Sequence, residues 1–393
     1  MERELDMVES DLIETKRNIY NKWLIFALIG LLLSLSCLFT LSVFSSSIIE
    51  KGPQLLFFLI FCFFAFLISF LVLIYIWIWK SLDEKWRKNY FYIILGIVLI
   101  SILYLVWNGY VTKKEYRHVF VEGIERQYRV KIPNHCTTSQ CPLLFALHGG
   151  MGNAKDFEKS SQFNVVSDDH NVIVVYPDGV GYFKYTMHVW NSGYIEEGIK
   201  RGSNDVLFIK TVILELKKNL NISKVFITGH SNGAMMTYRV AGECPEVFQG
   251  AAPVSGSIGG KATKTSNMYI IPSPSQPINI VHVHGFLDIN LKYNGGYPSS
   301  GFQVGERYDM SVNESISFWI KENNCDPNSI DELSSDNNIK IQTFANGSNQ
   351  TTVRLVTIYN QNHFWENMNS AVSVAHINGT KSLAHLIWHL LNV

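Results

Sequence analysis

The stretch Val225 to Val240, VFITGHSNGAMMTYRV, runs from a short apolar segment through a glycine-flanked turn into a helical pattern. Its turn, Gly229-His230-Ser231-Asn232-Gly233, has the form G-x-S-x-G. Two readings of Ser231 compete. Serine is a favoured helix cap, and it is also the nucleophile raised on a sharp strand-to-helix bend. The pentapeptide alone does not separate them, so the answer lies in what the rest of the chain places beside it.

Further apolar runs at 143–147, 172–176, 278–283 and 353–358 resemble 225–228. Between them fall helical patterns such as 206–220 and 234–242. Strands alternating with helices predict an α/β domain, with a mainly parallel sheet and helices on both faces. The segment 119–133 alternates about Glu122-Gly123 and predicts an antiparallel hairpin ahead of that sheet. Residues 323–352 are polar and rich in Asn and Ser, and read as loop.

In such sheets ligands gather beyond the carboxyl ends of the strands. Ser231 lies directly after the run 225–228. His148-Gly149-Gly150-Met151 follows 143–147, where glycines let backbone amides face outward. Amides of Asn232 and of Gly149, Gly150 and Met151 are therefore the expected oxyanion donors. Asp288 follows the run 278–283 and His363 follows 353–358, giving the chain order Ser, Asp, His of a hydrolase triad. A strand-end Asp alone reads as a turn cap, and a lone His as a core or surface residue; position and order together raise both. His282, inside a strand, and His376, His385 and His389, in a helical carboxy-terminal segment, compete with His363. His148 and His230 are read as orienting their loops. Gly259-Gly260-Lys261 lacks the first glycine and the following Ser/Thr of a phosphate loop, and no H-E-x-x-H occurs. No metal and no cofactor is expected.

The chain of 393 residues carries 33 basic and 33 acidic side chains, so no nucleic-acid footprint is visible in the totals. Its apolar residues are unevenly spread. Residues 23–44, 55–79 and 90–107 are free of Asp, Glu, Lys, Arg and His. About 20 apolar residues cross a bilayer core, so three transmembrane helices are expected. Lys16, Arg17 and Lys22 precede the first run, and Lys80, Lys85, Arg87 and Lys88 separate the second from the third. That bias predicts a cytoplasmic amino terminus and a carboxy-terminal domain outside the cytosol. Sequons at Asn221, Asn313, Asn346, Asn349 and Asn378, with none before residue 115, suit a glycosylated lumenal or extracellular domain. Cys37 and Cys62 lie within apolar runs, whereas Cys136, Cys141, Cys244 and Cys325 form an even set that an oxidising compartment permits to pair.

The ordered series LHGGMGN (147–153), YPDG (176–179), WNSG (190–193), DVLFI (205–209), ITGHSNGAMM (227–236), AAPVSG (251–256), HGFLD (284–288), YNGG (293–296) and HFW (363–365) resembles the secreted polyhydroxybutyrate depolymerase and feruloyl esterase family, of carbohydrate-esterase type. The resemblance covers roughly 115–390. It implies an α/β-hydrolase fold, a Ser231, Asp288, His363 triad, and ester hydrolysis through an acyl-enzyme without a metal. It also implies a Cys244–Cys325 disulfide, which leaves Cys136 with Cys141. Phe286, Asn362 and Glu366 depart from the family pattern around the triad. With Trp190 and Trp365, Phe286 is a candidate for the substrate pocket.

The expectation is a membrane-anchored serine carboxylic-ester hydrolase: a cytoplasmic tail (1–22), a three-helix anchor (23–110) and an esterase domain (115–393). Its partners are an ester substrate and, through 23–107, a membrane. Two alternatives stand beside it: a non-catalytic adhesion or recognition module on the same fold, and an acyltransferase.

Overall fold

The computed structural model describes residues 115–183, 186–194, 202–300, 305–375 and 377–392, together with Gly96, Leu99 and Ile100. The chain divides into two units, Met1–Tyr110 and Val111–Val393, and every element below belongs to the second. The tail and the runs 23–44, 55–79 and 90–107 otherwise lie outside the described residues. Among the described residues, no helix is long and apolar enough to cross a membrane.

The domain opens with β1 (Arg117–Val121) and β2 (Ile124–Lys131), paired antiparallel. The turn between them places Glu122 at φ 51° and Gly123 at φ 80°, the paired positive φ of a two-residue hairpin turn. The central elements follow: β3 (Cys141–Leu147), α1 (Ala154–Ser160), α2 (Phe163–His170), β4 (Ile173–Pro177), β5 (Val180–Phe183), β6 (Thr186–Val189), α3 (Asp205–Lys217), β7 (Ile222–His230) and α4 (Asn232–Glu243). The carboxy-terminal part holds β8 (Gly250–Val254), β9 (Gly259–Lys261), β10 (Tyr269–Ile270), β11 (Asn279–Gly285), β12 (Tyr308–Asp309), α5 (Val312–Asn323), β13 (Ile330–Leu333), β14 (Ile339–Phe344), β15 (Val353–Ile358), α6 (Trp365–Ala375) and α7 (Leu383–Leu391).

Ten strands form one sheet in the order β1-β2-β4-β3-β7-β8-β11-β15-β14-β13. The six strands from β4 to β15 are parallel, and two antiparallel strands extend each edge. Strand alternation distributes the core between two faces. Leu143, Phe145 and Leu147 pack with Phe208 and Ile209 of α3, Met236 of α4 and Ile316 of α5. Leu144 and Ala146 pack on the other side with Phe157 of α1, Phe163 of α2, Met368 of α6 and Leu386 of α7. A central strand buried on both faces explains why these runs are continuously apolar rather than alternating.

Helix ends are marked locally. Asn204 accepts from the Leu207 amide at the start of α3, and Ser311 and Glu314 form a reciprocal capping box on α5. The expected loop 323–352 is corrected: it contains the hairpin β13–β14. β13 is an edge strand with every residue exposed, so burial imposes no apolar alternation on it.

The disulfide assignment is corrected in part. Cys136 and Cys141 are bonded and close a short loop before β3. Cys244 and Cys325 are both free. Cys244 follows α4 and its Sγ donates to the Val240 carbonyl, one turn back in the same helix. Cys325 follows α5 and directs its Sγ to the Thr351 carbonyl. Each thiol thus faces a backbone carbonyl, local for Cys244 and distant in the chain for Cys325, and packs as a small apolar group. Burial pushes the Cys244 thiol up to about 12. Of the sequon residues, Asn221, Asn313, Asn346 and Asn349 are exposed.

One buried ion pair ties the first hairpin to the helical layer. Arg126 of β2 donates from Nη2 to Asp205 Oδ1 at the start of α3 (2.7 Å) and to the Asp178 carbonyl, with its guanidinium over the Phe208 ring. Removing one partner of such a pair strands the other charge in a dry site, at about 3–5 kcal/mol. Asp205→Ala is expected to lower unfolding free energy by that amount, read from urea unfolding followed by tryptophan fluorescence. A midpoint equal to wild type would mean the pair contributes nothing.

Candidate active site

Four parallel strands, two on each side of β8, deliver the chemistry at their carboxyl ends. β3 leads into His148-Gly149-Gly150, β7 into Ser231, β11 into Asp288, and β15 into His363. Ser231 occupies φ 56°, ψ −119°, a conformation L-residues seldom adopt. The turn is so tight that a Cβ on Gly229 would stand 2.5 Å from the Gly233 carbonyl oxygen. One on Gly233 would stand 2.4 Å from that of His148. Both flanking glycines are therefore sterically required. The bend is held by the Ser231 amide donating to the Val254 carbonyl, and by the Ser231 carbonyl accepting from Ala234 and Met235.

The hydroxyl so raised meets a base. His363 Nε2 lies 2.9 Å from Ser231 Oγ, and His363 Nδ1 lies 2.7 Å from Asp288 Oδ2. Because a carboxylate only accepts, Nδ1 carries the proton and Nε2 faces the serine as an acceptor. Asp288 is fixed in turn: its Oδ1 accepts from the Asn290 and Leu291 amides, both at 2.8 Å. Burial alone would raise its pKa. The hydrogen bonds and electrostatic attraction of the His284 and His363 rings outweigh that effect and hold the carboxyl well below the usual range. Ser231 remains partly exposed, so the hydroxyl is reachable from solvent.

His230 joins the nucleophile turn to the histidine loop. Its Nε2 donates to the His363 carbonyl at 2.7 Å, and its ring packs against those of His363 and Trp365. Burial lowers its pKa to about 3, so it stays neutral while doing so.

The expected oxyanion donors divide. Asn232 opens α4, and Gly149 and Gly150 lie against the turn. A Cβ on Gly149 would be 3.6 Å from Ser231 Cβ, and one on Gly150 would be 3.5 Å from Asn232 Cβ. Among the described residues, no backbone carbonyl takes up the Gly150 or Asn232 amide. Met151 is corrected: its amide donates to the His188 carbonyl at 2.8 Å and is already engaged.

Two expected pocket residues are also corrected. Trp190 is fully buried, and its Nε1 donates to the His148 carbonyl at 2.9 Å while its ring packs on His148. Trp365 is buried among Phe157, Phe163 and His230. Large flat rings with one polar handle serve here as braces beneath the loops. Phe286 is instead 43% exposed and packs on Tyr293 and Tyr359. Leu287, Ile289 and Phe364 are exposed beside the triad residues in the chain. Asn362, which departs from the family pattern, accepts from the Phe364 amide and from Asn367 Nδ2 and forms a turn leading into α6.

A polar layer unread from the sequence supports the loop His148-Gly149-Gly150. The Asn232 side chain accepts from the Trp190 amide and donates to the Trp190 carbonyl and Ser192 Oγ. Asp205 Oδ2 accepts from the Asn191 amide and Ser203 Oγ. His148, Asp178 and His188 bring three ligand-type atoms within 4.8 Å of one another, a donor set that invites a divalent ion. Their lone pairs are largely taken. His148 Nε2 accepts from the Gly179 amide, Asp178 Oδ1 from the Ala154 amide, and Asp178 Oδ2 from Gln127 Nε2. These residues fit a hydrogen-bonded brace better than a metal centre. The motif YPDG (176–179) carried the signal, since it puts an acid directly after a strand. Of the competing histidines, His282 lies in the core, and His385 bonds Asp169 and Ser382 at the surface. His389 lies on α7, and His376 is outside the described residues.

Comparison with known proteins gives partial matches. A poly(3-hydroxyalkanoate) depolymerase C of Paucimonas lemoignei is 35% identical over 140 residues, covering 35% of this chain and 33% of that protein. A bifunctional acetylxylan esterase/xylanase of Neocallimastix patriciarum is 27% identical over 44% of this chain and 23% of its own length. Feruloyl esterase B of Thermothelomyces thermophilus is 28% identical over 33% of this chain and 44% of its own. The chain thus spans less than half the length of each of these relatives. Residues 126–300, from β2 through Ser231 and Asp288, match the family described as esterase PHB depolymerase.

Proposed function

We propose that the domain 115–393 has the α/β-hydrolase fold and is a serine carboxylic-ester hydrolase acting through an acyl-enzyme. The observation that carries this reading is the linked geometry of Ser231 Oγ, His363 and Asp288, with the serine on a strained bend after β7. Ser231 Oγ attacks the ester carbonyl carbon as its proton passes to His363 Nε2. The oxyanion is received by amides of Asn232 and of the Gly149-Gly150 loop. One such donor is worth about 3–4 kcal/mol of barrier. His363 then returns the proton to the departing alcohol oxygen. Water, deprotonated by the same nitrogen, adds to the acyl carbon and releases the acid and free Ser231.

The substrate class we favour is an extracellular or lumenal ester of feruloyl, acetyl or hydroxyalkanoate type. The exposed side chains Phe286, Leu287, Ile289 and Phe364 favour apolar surface on the substrate. The test is a turnover screen of the full chain against hydroxycinnamoyl, acetyl and 3-hydroxybutyrate esters. Labelling of Ser231 by a fluorophosphonate probe accompanies it. A chain that neither labels nor turns over any ester is an adhesion or recognition module; products formed with an added acceptor alcohol identify an acyltransferase.

The same proposal places three membrane spans at 23–44, 55–79 and 90–107, with the tail 1–22 in the cytoplasm and the catalytic domain outside the cytosol. Their support is the uncharged runs and the basic residues flanking them. The chain is expected to resist alkaline carbonate extraction from membranes and to shift in mobility on endoglycosidase treatment. Release into the carbonate supernatant would remove the anchor.

A further inference from the structure

Behind Asp288 lies a buried chain of hydrogen bonds that the triad itself does not require. Tyr238 of α4 stands with its hydroxyl 2.7 Å from His282 Nδ1. His282 Nε2 lies 3.0 Å from His284 Nδ1, and His284 Nε2 lies 2.7 Å from the Leu291 carbonyl oxygen. Tyr238, His282, His284 and Leu291 are all at most 2% exposed. His282 and His284 alternate onto one face of β11, stack at 5.2 Å, and so point along the strand towards its catalytic end.

One group sets the direction of the whole chain. The Leu291 carbonyl only accepts, so His284 Nε2 must carry a proton. With both imidazoles neutral, His284 Nδ1 is then an acceptor and His282 Nε2 a donor. That leaves His282 Nδ1 to accept from the Tyr238 hydroxyl. The same His284 N–H stands 3.4 Å from Asp288 Oδ2, the oxygen that binds His363. Leu291 closes the device, since its amide donates to Asp288 Oδ1 while its carbonyl is held by His284.

We propose that His284 is a positioning residue for the triad carboxylate, with its tautomer set by His282 and Tyr238. It holds the Leu291 peptide that grips Oδ1, and it turns an N–H rather than a lone pair towards Oδ2. Were the chain reversed, a lone pair would face both the Leu291 carbonyl and the carboxylate, and the Asp288 turn would be pushed apart. The arrangement therefore acts on the step that charges His363, when Asp288 must stay ionised and in line. It rests on the hydrolase reading given above.

The test compares full-length wild type, Ser231→Ala, His284→Leu, His284→Gln and Tyr238→Phe with p-nitrophenyl acetate. His284→Leu removes the N–H and is expected to lower kcat about 30-fold, the effect of one hydrogen bond to a charged group, with little change in KM. His284→Gln keeps an N–H donor and is expected to recover kcat to within about fivefold of wild type. Tyr238→Phe removes one hydroxyl and is expected to lose about fivefold in kcat at unchanged KM. A folded His284→Leu with wild-type kcat, a loss confined to KM, or no recovery in His284→Gln overturns the proposal. If His284→Leu fails to fold, Tyr238→Phe decides, and wild-type kcat in it overturns the proposal. A wild type no more active than Ser231→Ala removes the hydrolase reading and this inference with it; an active wild type matched by His284→Leu removes the inference alone.

Discussion

Ser231→Ala is expected to lower kcat for p-nitrophenyl acetate by about 10⁴- to 10⁶-fold, to the residual supplied by the oxyanion amides and binding. The loss follows from the 2.9 Å contact of Ser231 Oγ with His363 Nε2: without the hydroxyl, the base has no nucleophile to activate. The substitution leaves the bend intact. Alanine at φ 56° is as strained as serine, and the hydrogen bonds that hold the bend come from the amide and carbonyl of residue 231, which alanine keeps. Wild-type thermal unfolding with abolished turnover, and loss of fluorophosphonate labelling, are therefore expected together. An alanine variant that still turns over the ester would place the nucleophile elsewhere and end the mechanism.

What could be read from the sequence was what chemistry and close packing force to be local. Gly229 and Gly233 are legible because no other residue passes those contacts, and Asp288 and His363 because a parallel sheet gathers strand ends. The hairpin turn at Glu122-Gly123 is legible from the alternation on either side of it, and both residues adopt positive φ there. Contacts set by the third dimension were not legible. Trp190 and Trp365 resemble pocket residues by chain position, yet the structure spends them as supports under His148 and His230. Nothing in the spacing of Cys244 and Cys325 reveals that each thiol faces a separate backbone carbonyl, that of Val240 for one and Thr351 for the other. β13 escaped because an exposed edge strand carries no burial pattern. The sequence places His282 inside a strand, whereas His284 lies beyond the apolar run 278–283 and is not read as its partner. Their relation to Asp288 depends on Leu291, whose turn brings a carbonyl back over β11.

The acid of the triad offers the second large effect. Asp288→Asn is expected to lower kcat about 10⁴-fold, the size associated with a wrongly protonated triad histidine, while leaving ester binding nearly unchanged. The direction follows from which oxygen is tied. Oδ1 accepts from the Asn290 and Leu291 amides, so the introduced amide keeps its oxygen there. Its NH₂ must then occupy the place of Oδ2, opposite His363 Nδ1 at 2.7 Å and His284 Nε2 at 3.4 Å. His363 avoids two facing donors by moving its proton to Nε2, which turns an N–H towards Ser231 Oγ and leaves no base. Flipping the amide instead would set its NH₂ against two backbone amides, so that escape is blocked as well. Steady-state kinetics on p-nitrophenyl acetate, with unfolding monitored in parallel, checks the prediction. A folded Asp288→Asn protein with kcat within about tenfold of wild type would show that the carboxylate neither orients His363 nor stabilises its charged form.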